Sequence, residues 1–185
     1  GLLDPSEYDN YAHFAAGLVG IVNGDQKRGV RFWEPLNEQD NAYKRAGRLD
    51  ELWKIYNLTA RAMKAVDPTI RVGGPAATYD DRRTMESFLQ ACAPNVDFLS
   101  WHRYGSGNRN DSTDVLMAYT PRYGDQVADF RALAKRYLPE RSVPLLLGEY
   151  NINYSYRSGE TRQNTREGAA WFASVLKHLA ESGID

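Results

Sequence analysis

The chain has a single cysteine, Cys92, so no intrachain disulfide can form and no thiolate zinc cluster can be built. Histidine is scarce too: His13, His102 and His178 are scattered without metal-ligand spacing, and no metal site is expected. Charge of one sign is not in excess, with 23 Lys and Arg against 24 Asp and Glu and a formal net charge of −1. That balance removes the electrostatic case for a nucleic-acid partner. No apolar run approaches the roughly 18 residues that span a bilayer, so no membrane partner is expected. A phosphate-binding glycine fingerprint is also missing, because Gly73-Gly74-Pro75 lacks the spacing, and no cofactor is implied. The opening GLLDPSEYD lacks the basic segment and apolar run of a secretory leader.

What is present is ordinary for a folded domain with a core: 42% hydrophobic, 12% aromatic and 25% charged residues. The 185 residues fit one domain but fall short of the ~250 typical of an eight-unit barrel. Helical and extended signals alternate. Asp4-Pro5-Ser6-Glu7 reads as a helix start, with apolar residues recurring at helical period from Tyr8 to Val22 and an end at Asn23-Gly24. An extended segment runs from Val30 to Leu36. Leu49, Leu52, Trp53, Tyr56, Ala60 and Met63 mark a helix that stops before Asp67-Pro68. The pattern then repeats as strand 70–73, helix 82–92, strand 96–104, a helix ending at Pro139, strand 143–150, and a last helix from Asn164 to Gly183. Strands separated by crossover helices predict parallel pairing and an α/β fold. Two long connections, 105–124 and 151–163, follow strands, where α/β proteins place their sites.

Two of these strands finish in glutamate: FWEPLNE at Glu38 and VPLLLGE at Glu149. Paired carboxylates are what glycosidic bond cleavage requires, one protonated to release the leaving oxygen and one ionised to attack the sugar carbon. Between them, the strand ending Phe98, Ser100, His102, Tyr104 carries these residues on one face by alternation. His102 and Tyr104 therefore enter the mouth together, and Tyr104 is placed to donate a hydrogen bond to Glu149.

The runs FWEPLNEQD, IRVGGPAAT, DFLSWHRYG and LLLGEYN, in that order, resemble the retaining glycoside hydrolases of clan A. The resemblance is closest to glycoside hydrolase family thirty-nine, which includes β-xylosidases and α-L-iduronidases. It implies that Asn37-Glu38 ends strand four of a (β/α)8 TIM barrel with Glu38 as acid/base. It also implies that Glu149 ends strand seven as the nucleophile, and that Asn37 bonds the sugar 2-hydroxyl. His102, Tyr104 and Tyr150 are the further expected substrate contacts. Two departures stand out: Gln39 replaces the usual proline after Asn-Glu, and Pro35 occupies a position commonly β-branched or aromatic. Because Asn37 and Glu38 are neighbours, the strand must bend or bulge for both to reach sugar, and Pro35 suits such a break.

In that register residues 1–185 form a single segment of the catalytic domain. It is a partial barrel with strands four to seven and their helices, lacking strands one to three and eight. A four-stranded arc has open edges, so the missing strands are expected from the parent chain or a partner. The expected activity is retaining cleavage of an oligosaccharide or glycoside. The rival readings are a non-catalytic barrel remnant or carbohydrate-binding scaffold, and an inverting hydrolase. Glu34 is expected to be a buried structural acid. Of the loop tyrosines Tyr119, Tyr123, Tyr150, Tyr154 and Tyr156, one or two are expected to touch ligand, whereas Arg103, Arg109, Arg157 and Arg162 read as solvated loop charge.

Overall fold

In the computed structural model, which describes residues 1–108, 110–155 and 159–185, helices and parallel strands alternate along the chain. The Asp4 carboxylate accepts the Ser6 N–H at 2.9 Å and starts a 3-10 turn, Pro5–Glu7, that leads into α1 (Tyr8–Val19). The coil then widens into a π-helical turn over Gly20–Asp25, past the Asn23-Gly24 stop that the sequence predicts. After β1 (Phe32–Trp33) come α2 (Asp40–Arg45) and α3 (Leu49–Val66), which ends where Asp67-Pro68 requires. β2 (Arg71–Val72) and β3 (Gly74–Ala77) precede α4 (Arg82–Cys92), whose bounds match its periodicity. β4 (Leu99–Tyr104), α5 (Thr113–Ala118), α6 (Arg122–Tyr137), β5 (Leu145–Asn151) and α7 (Arg166–Ser182) complete the order.

Several elements differ from expectation. The extended segment 30–36 holds only the two residues of β1, because Pro35 has no N–H to donate to a ladder. α5 lies within the long connection 105–124, and α2 lies in the stretch between Leu36 and Leu49 to which no element is assigned; each is six residues long, too short for a periodic signal. The last helix is capped at Thr165, not Asn164, and Gly183 closes it in the left-handed conformation at φ 69°.

All the pairings are parallel, in the order β1-β2 and β3-β4-β5. Only Gly73 separates β2 from β3, and its N–H donates to the Trp33 carbonyl at 3.1 Å, so the ladder runs continuously across both sheets. The α/β fold with parallel strands is thus as the alternation predicts. The helices cover one face. On β4, the Trp101 ring meets Phe130 of α6 edge-on at 4.9 Å and its indole N–H donates to Gln126 at 2.8 Å. Trp53 and Tyr56 of α3 pack on Phe88 of α4. The other face remains partly open, with Phe32 at 43% exposure. Among the described residues no helix is long and apolar enough to cross a membrane.

Cys92 is fully buried, its thiol donating to the Trp53 carbonyl, and burial pushes its pKa up to about 12. It should therefore resist iodoacetamide at pH 8 in the native state and react only on unfolding, which mass spectrometry of the alkylated protein will read. Gly73 is equally constrained: an added Cβ would lie 2.4 Å from the Phe98 ring and 2.5 Å from its carbonyl oxygen. Gly73→Ala is expected to cost about 3 kcal/mol, measured as a lowered urea midpoint at unchanged slope. A midpoint equal to wild type would contradict the packing.

Candidate active site

The carbonyl ends of the strands carry the acids, and each acid sits at a break in strand alternation. After β1 the chain turns at Pro35, whose carbonyl accepts the Tyr11 hydroxyl. Glu38 then takes φ +53°, a conformation that residues with a Cβ rarely adopt. Its N–H donates to the carbonyl of Ala76, itself at φ +49°, at 3.0 Å. The break that the neighbouring Asn37 and Glu38 demand is therefore a left-handed residue, not a bulge at Pro35. Asn37 stays exposed, its carbonyl accepting from the Gln39 amide at 3.0 Å.

On β5 the break is a register shift. Leu147 lies opposite Trp101, but His102 lies opposite Glu149, so Gly148 is skipped. Trp101 and Leu147 face the helices; without the extra residue Glu149 would face them too. Glycine suits the position because a Cβ at Gly148 would already stand 3.3 Å from His102 Nε2.

These breaks bring four side chains together. His102 is buried, with Nδ1 2.8 Å from Glu38 Oε1 and 3.7 Å from Glu149 Oε2. The Tyr104 hydroxyl donates to Glu149 Oε2 at 2.5 Å. One oxygen of Glu38, one of Glu149 and a nitrogen of His102 all lie within 4.8 Å of one another. The two carboxyl side chains remain 36% and 42% exposed, open to a ligand from the uncovered face. Two oxygens and one imidazole nitrogen could also hold a divalent cation, a grouping that the scattered histidines do not reveal in sequence. In the structure Nδ1 is engaged by Glu38 instead.

The remaining expectations divide. Tyr150 faces away from Glu149, stacked on Phe172 of α7 with ring centroids 5.8 Å apart, because the residue after an inward one points outward. Tyr123 is buried against Trp171, Tyr119 lies beneath the Arg122 guanidinium, and Tyr154 is exposed. Tyr156, Arg109 and Arg157 lie outside the described residues. Glu34 is exposed, not buried, since the face it occupies is uncovered. Arg103 and Arg162 are not solvated charges. Arg103 is buried, paired with Asp80 and set over the Tyr123 ring. Arg162 donates to Glu160 through Nε at 2.8 Å and through Nη1 to the Asp111 carbonyl at 2.7 Å. The connection after β5 is thereby tied to the one after β4. Asp40 is a residue that motif reading missed: its carboxylate accepts both the N–H and the hydroxyl of Thr78, at 2.9 and 2.7 Å.

Comparison with known proteins identifies a family and a fold. Residues 25–182 match the family model described as Glycosyl hydrolases family 39. A beta-xylosidase of Geobacillus stearothermophilus is 34% identical over 156 residues, covering 80% of this chain and 28% of that protein. The fold resembles a glucosidase from Croceicoccus marinus (TM-score 0.72, 23% identity, 96% of this chain and 37% of that one). It also resembles a monomeric beta-xylosidase from Caulobacter crescentus CB15 (TM-score 0.67, 22% identity, 94% and 36%). The chain thus spans well under half the length of each.

The brace between the two loops has a pH signature. Hydrogen bonds from the Arg162 side chain, then its backbone N–H and Asn153, hold the Glu160 carboxyl down at about 2, against an ordinary 4.5. A carboxyl depressed on folding stabilises the native state above its unfolded value, and the contribution is lost as pH falls toward the folded value. Glu160→Gln should therefore cost about 1–2 kcal/mol at pH 7 after allowance for solvent screening. The gap to wild type should narrow below about pH 4.5 and close near pH 2. Urea unfolding at a series of pH values measures it, and a gap independent of pH would refute the brace.

Proposed function

This chain belongs to glycosyl hydrolase family 39, and from that premise we propose that it is the catalytic segment of a retaining glycosidase acting on β-xylosides. The observation that carries the proposal is the approach of Glu38 and Glu149, with carboxylate oxygens within 4.8 Å. That spacing fits the roughly 5–5.5 Å of retaining enzymes better than the roughly 6.5–9.5 Å that an inverting enzyme needs for its water.

The chemistry follows by double displacement. Glu38 protonates the glycosidic oxygen while Glu149 attacks the anomeric carbon, forming a glycosyl-enzyme. Glu38 then takes a proton from water, which attacks the same carbon and releases the sugar with its configuration retained. Tyr104 holds one oxygen of Glu149 and leaves the other to attack. His102 fixes Glu38 through Nδ1, and the exposed Asn37 stands beside it for the 2-hydroxyl. The β-xyloside preference rests on the relative named beta-xylosidase.

The parallel ladder is, in this reading, four consecutive strand positions of a (β/α)8 barrel, with β2 and β3 as one strand broken at Gly73. The uncovered face and the edges of β1 and β5 take the remaining βα units, from the parent chain or a partner. Open edges and an exposed inner ring such as Phe32 support this.

With the barrel complete, Glu149→Ala should reduce turnover of xylobiose to background while leaving the melting temperature close to wild type. Glu38→Gln should lower kcat by about 10²–10⁴-fold. Proton NMR of the first-formed sugar should show the β-anomer. Near-normal turnover by Glu149→Ala would remove the nucleophile, and first-formed α-anomer would make the enzyme inverting. A folded, completed barrel that binds xylobiose without cleaving it would be a carbohydrate-binding scaffold.

A further inference from the structure

Glu38 is held in an unusual way, and one buried carboxylate explains how. The left-handed backbone at Glu38 and at Ala76 is disfavoured for any residue with a Cβ, and the two residues are joined by the Glu38 N–H to Ala76 carbonyl bond. Two residues further along each segment a second tie forms, in which Asp40 Oδ1 accepts the Thr78 N–H at 2.9 Å and the Thr78 hydroxyl at 2.7 Å. The spacing on both segments is that of a parallel ladder, 38 with 76 and 40 with 78. A side-chain carboxylate stands where a backbone carbonyl would continue it. Asp40 is 4% exposed, a degree of burial that carboxylates tolerate only with donors to match. The anchor beneath is firm as well: the Ala76 N–H donates to Ser100 Oγ of β4 at 3.0 Å. β4 also carries His102, the partner of Glu38.

We propose that Asp40 is a positioning residue for Glu38. It closes the second rung between the segment after β1 and the segment after β3, and so keeps Glu38 in the left-handed turn that directs its carboxyl to His102. It touches neither substrate nor the reacting atoms and acts through the backbone. The proposal concerns geometry; only its kinetic test rests on the acid/base role of Glu38.

The direct test uses the 185-residue chain. The ring nitrogen shifts of His102, read by NMR, report its contact with Glu38, and Glu38→Ala supplies the reference for a lost contact. Asp40→Ala should move these shifts at least about half-way to that reference, whereas Asp40→Asn, which keeps the acceptor oxygen, should stay close to wild type. A folded Asp40→Ala protein with wild-type His102 shifts would overturn the proposal. Should that variant not fold, Thr78→Val, which removes only the hydroxyl bond, must move the shifts in the same direction, and no movement would overturn it equally.

The kinetic test compares two substrates in the active protein. Xylobiose needs a proton on its leaving oxygen, whereas β-xylosyl fluoride departs without one. Asp40→Ala should lower kcat/KM for xylobiose by about 10²-fold and for the fluoride by less than about threefold. Equal losses on both would mean general damage and defeat the positioning role, as would no loss on either. A wild-type protein that turns over neither substrate would defeat the enzymatic reading alone, and the His102 shifts would still decide on Asp40.

Discussion

The skipped residue Gly148 is the constraint on which the site depends. Parallel strands place paired residues on one face, and along β4 and β5 the pairing of Leu99 with Leu145 directs both into the helix-covered core. Continued without interruption, that register would bury Glu149 against α6 and α7. One extra residue on β5 reverses the parity, sets Glu149 opposite His102 and returns Tyr150 to the helix side. Glu38 reaches the same face by a different device, a left-handed residue braced by Ala76. Both acids thus owe their direction to local irregularities, and the regular parts of the strands serve to hold those irregularities still.

What holds them is a set of ties between successive strand-to-helix connections. Asp40 reaches Thr78, Lys44 reaches Asp81, Asp80 reaches the buried Arg103, and Arg162 reaches the Asp111 carbonyl. Three of them join a connection to the next around the ladder, and the Asp80 pair joins one to the end of β4. Surface ion pairs contribute little stability as a class, but Asp40 and Arg103 are buried, and Glu160 is largely shielded. Breaking one partner of such a pair leaves a charge that water cannot reach. The ties therefore fix where the connections sit as well as adding to stability, which suits a site whose groups must stay within a fraction of an ångström.

How much of this is legible in the sequence follows from the range over which each signal acts. Helices with a wide apolar stripe, such as α3 and α4, are readable to within a residue because burial repeats every three or four positions. The inward set Ser100, His102, Tyr104 is readable because β4 alternates without interruption up to its end. The direction of Tyr150 is not readable for the complementary reason: nothing local announces that alternation restarts at Gly148, since the shift is fixed by the partner strand and by the His102 ring. Arg103 looks like loop charge because its partner Asp80 is brought near only by the fold, and Arg162 because the distant Asp111 carbonyl that shields it is invisible beside its local partner Glu160. Glu34 looks buried because the inward face of a strand is normally covered, and here it is not.

That uncovered face bears on the chemistry itself. An acid/base and a nucleophile of the kind proposed work in sites where water is excluded and fixed dipoles replace it. Glu38 and Glu149 are each more than a third exposed, although His102 between them is buried. Farther along the same face, toward the strand N-termini, Arg71 lies over the Phe32 ring, and Phe32 packs on Phe98. It is an aromatic and cationic layer of the kind that a covered interior would bury. Under the proposed barrel, the units that cover Phe32 also close the wall opposite the two acids. The same packing that shields apolar surface would then desolvate the reacting groups, so completing the core and completing the active site are one physical event.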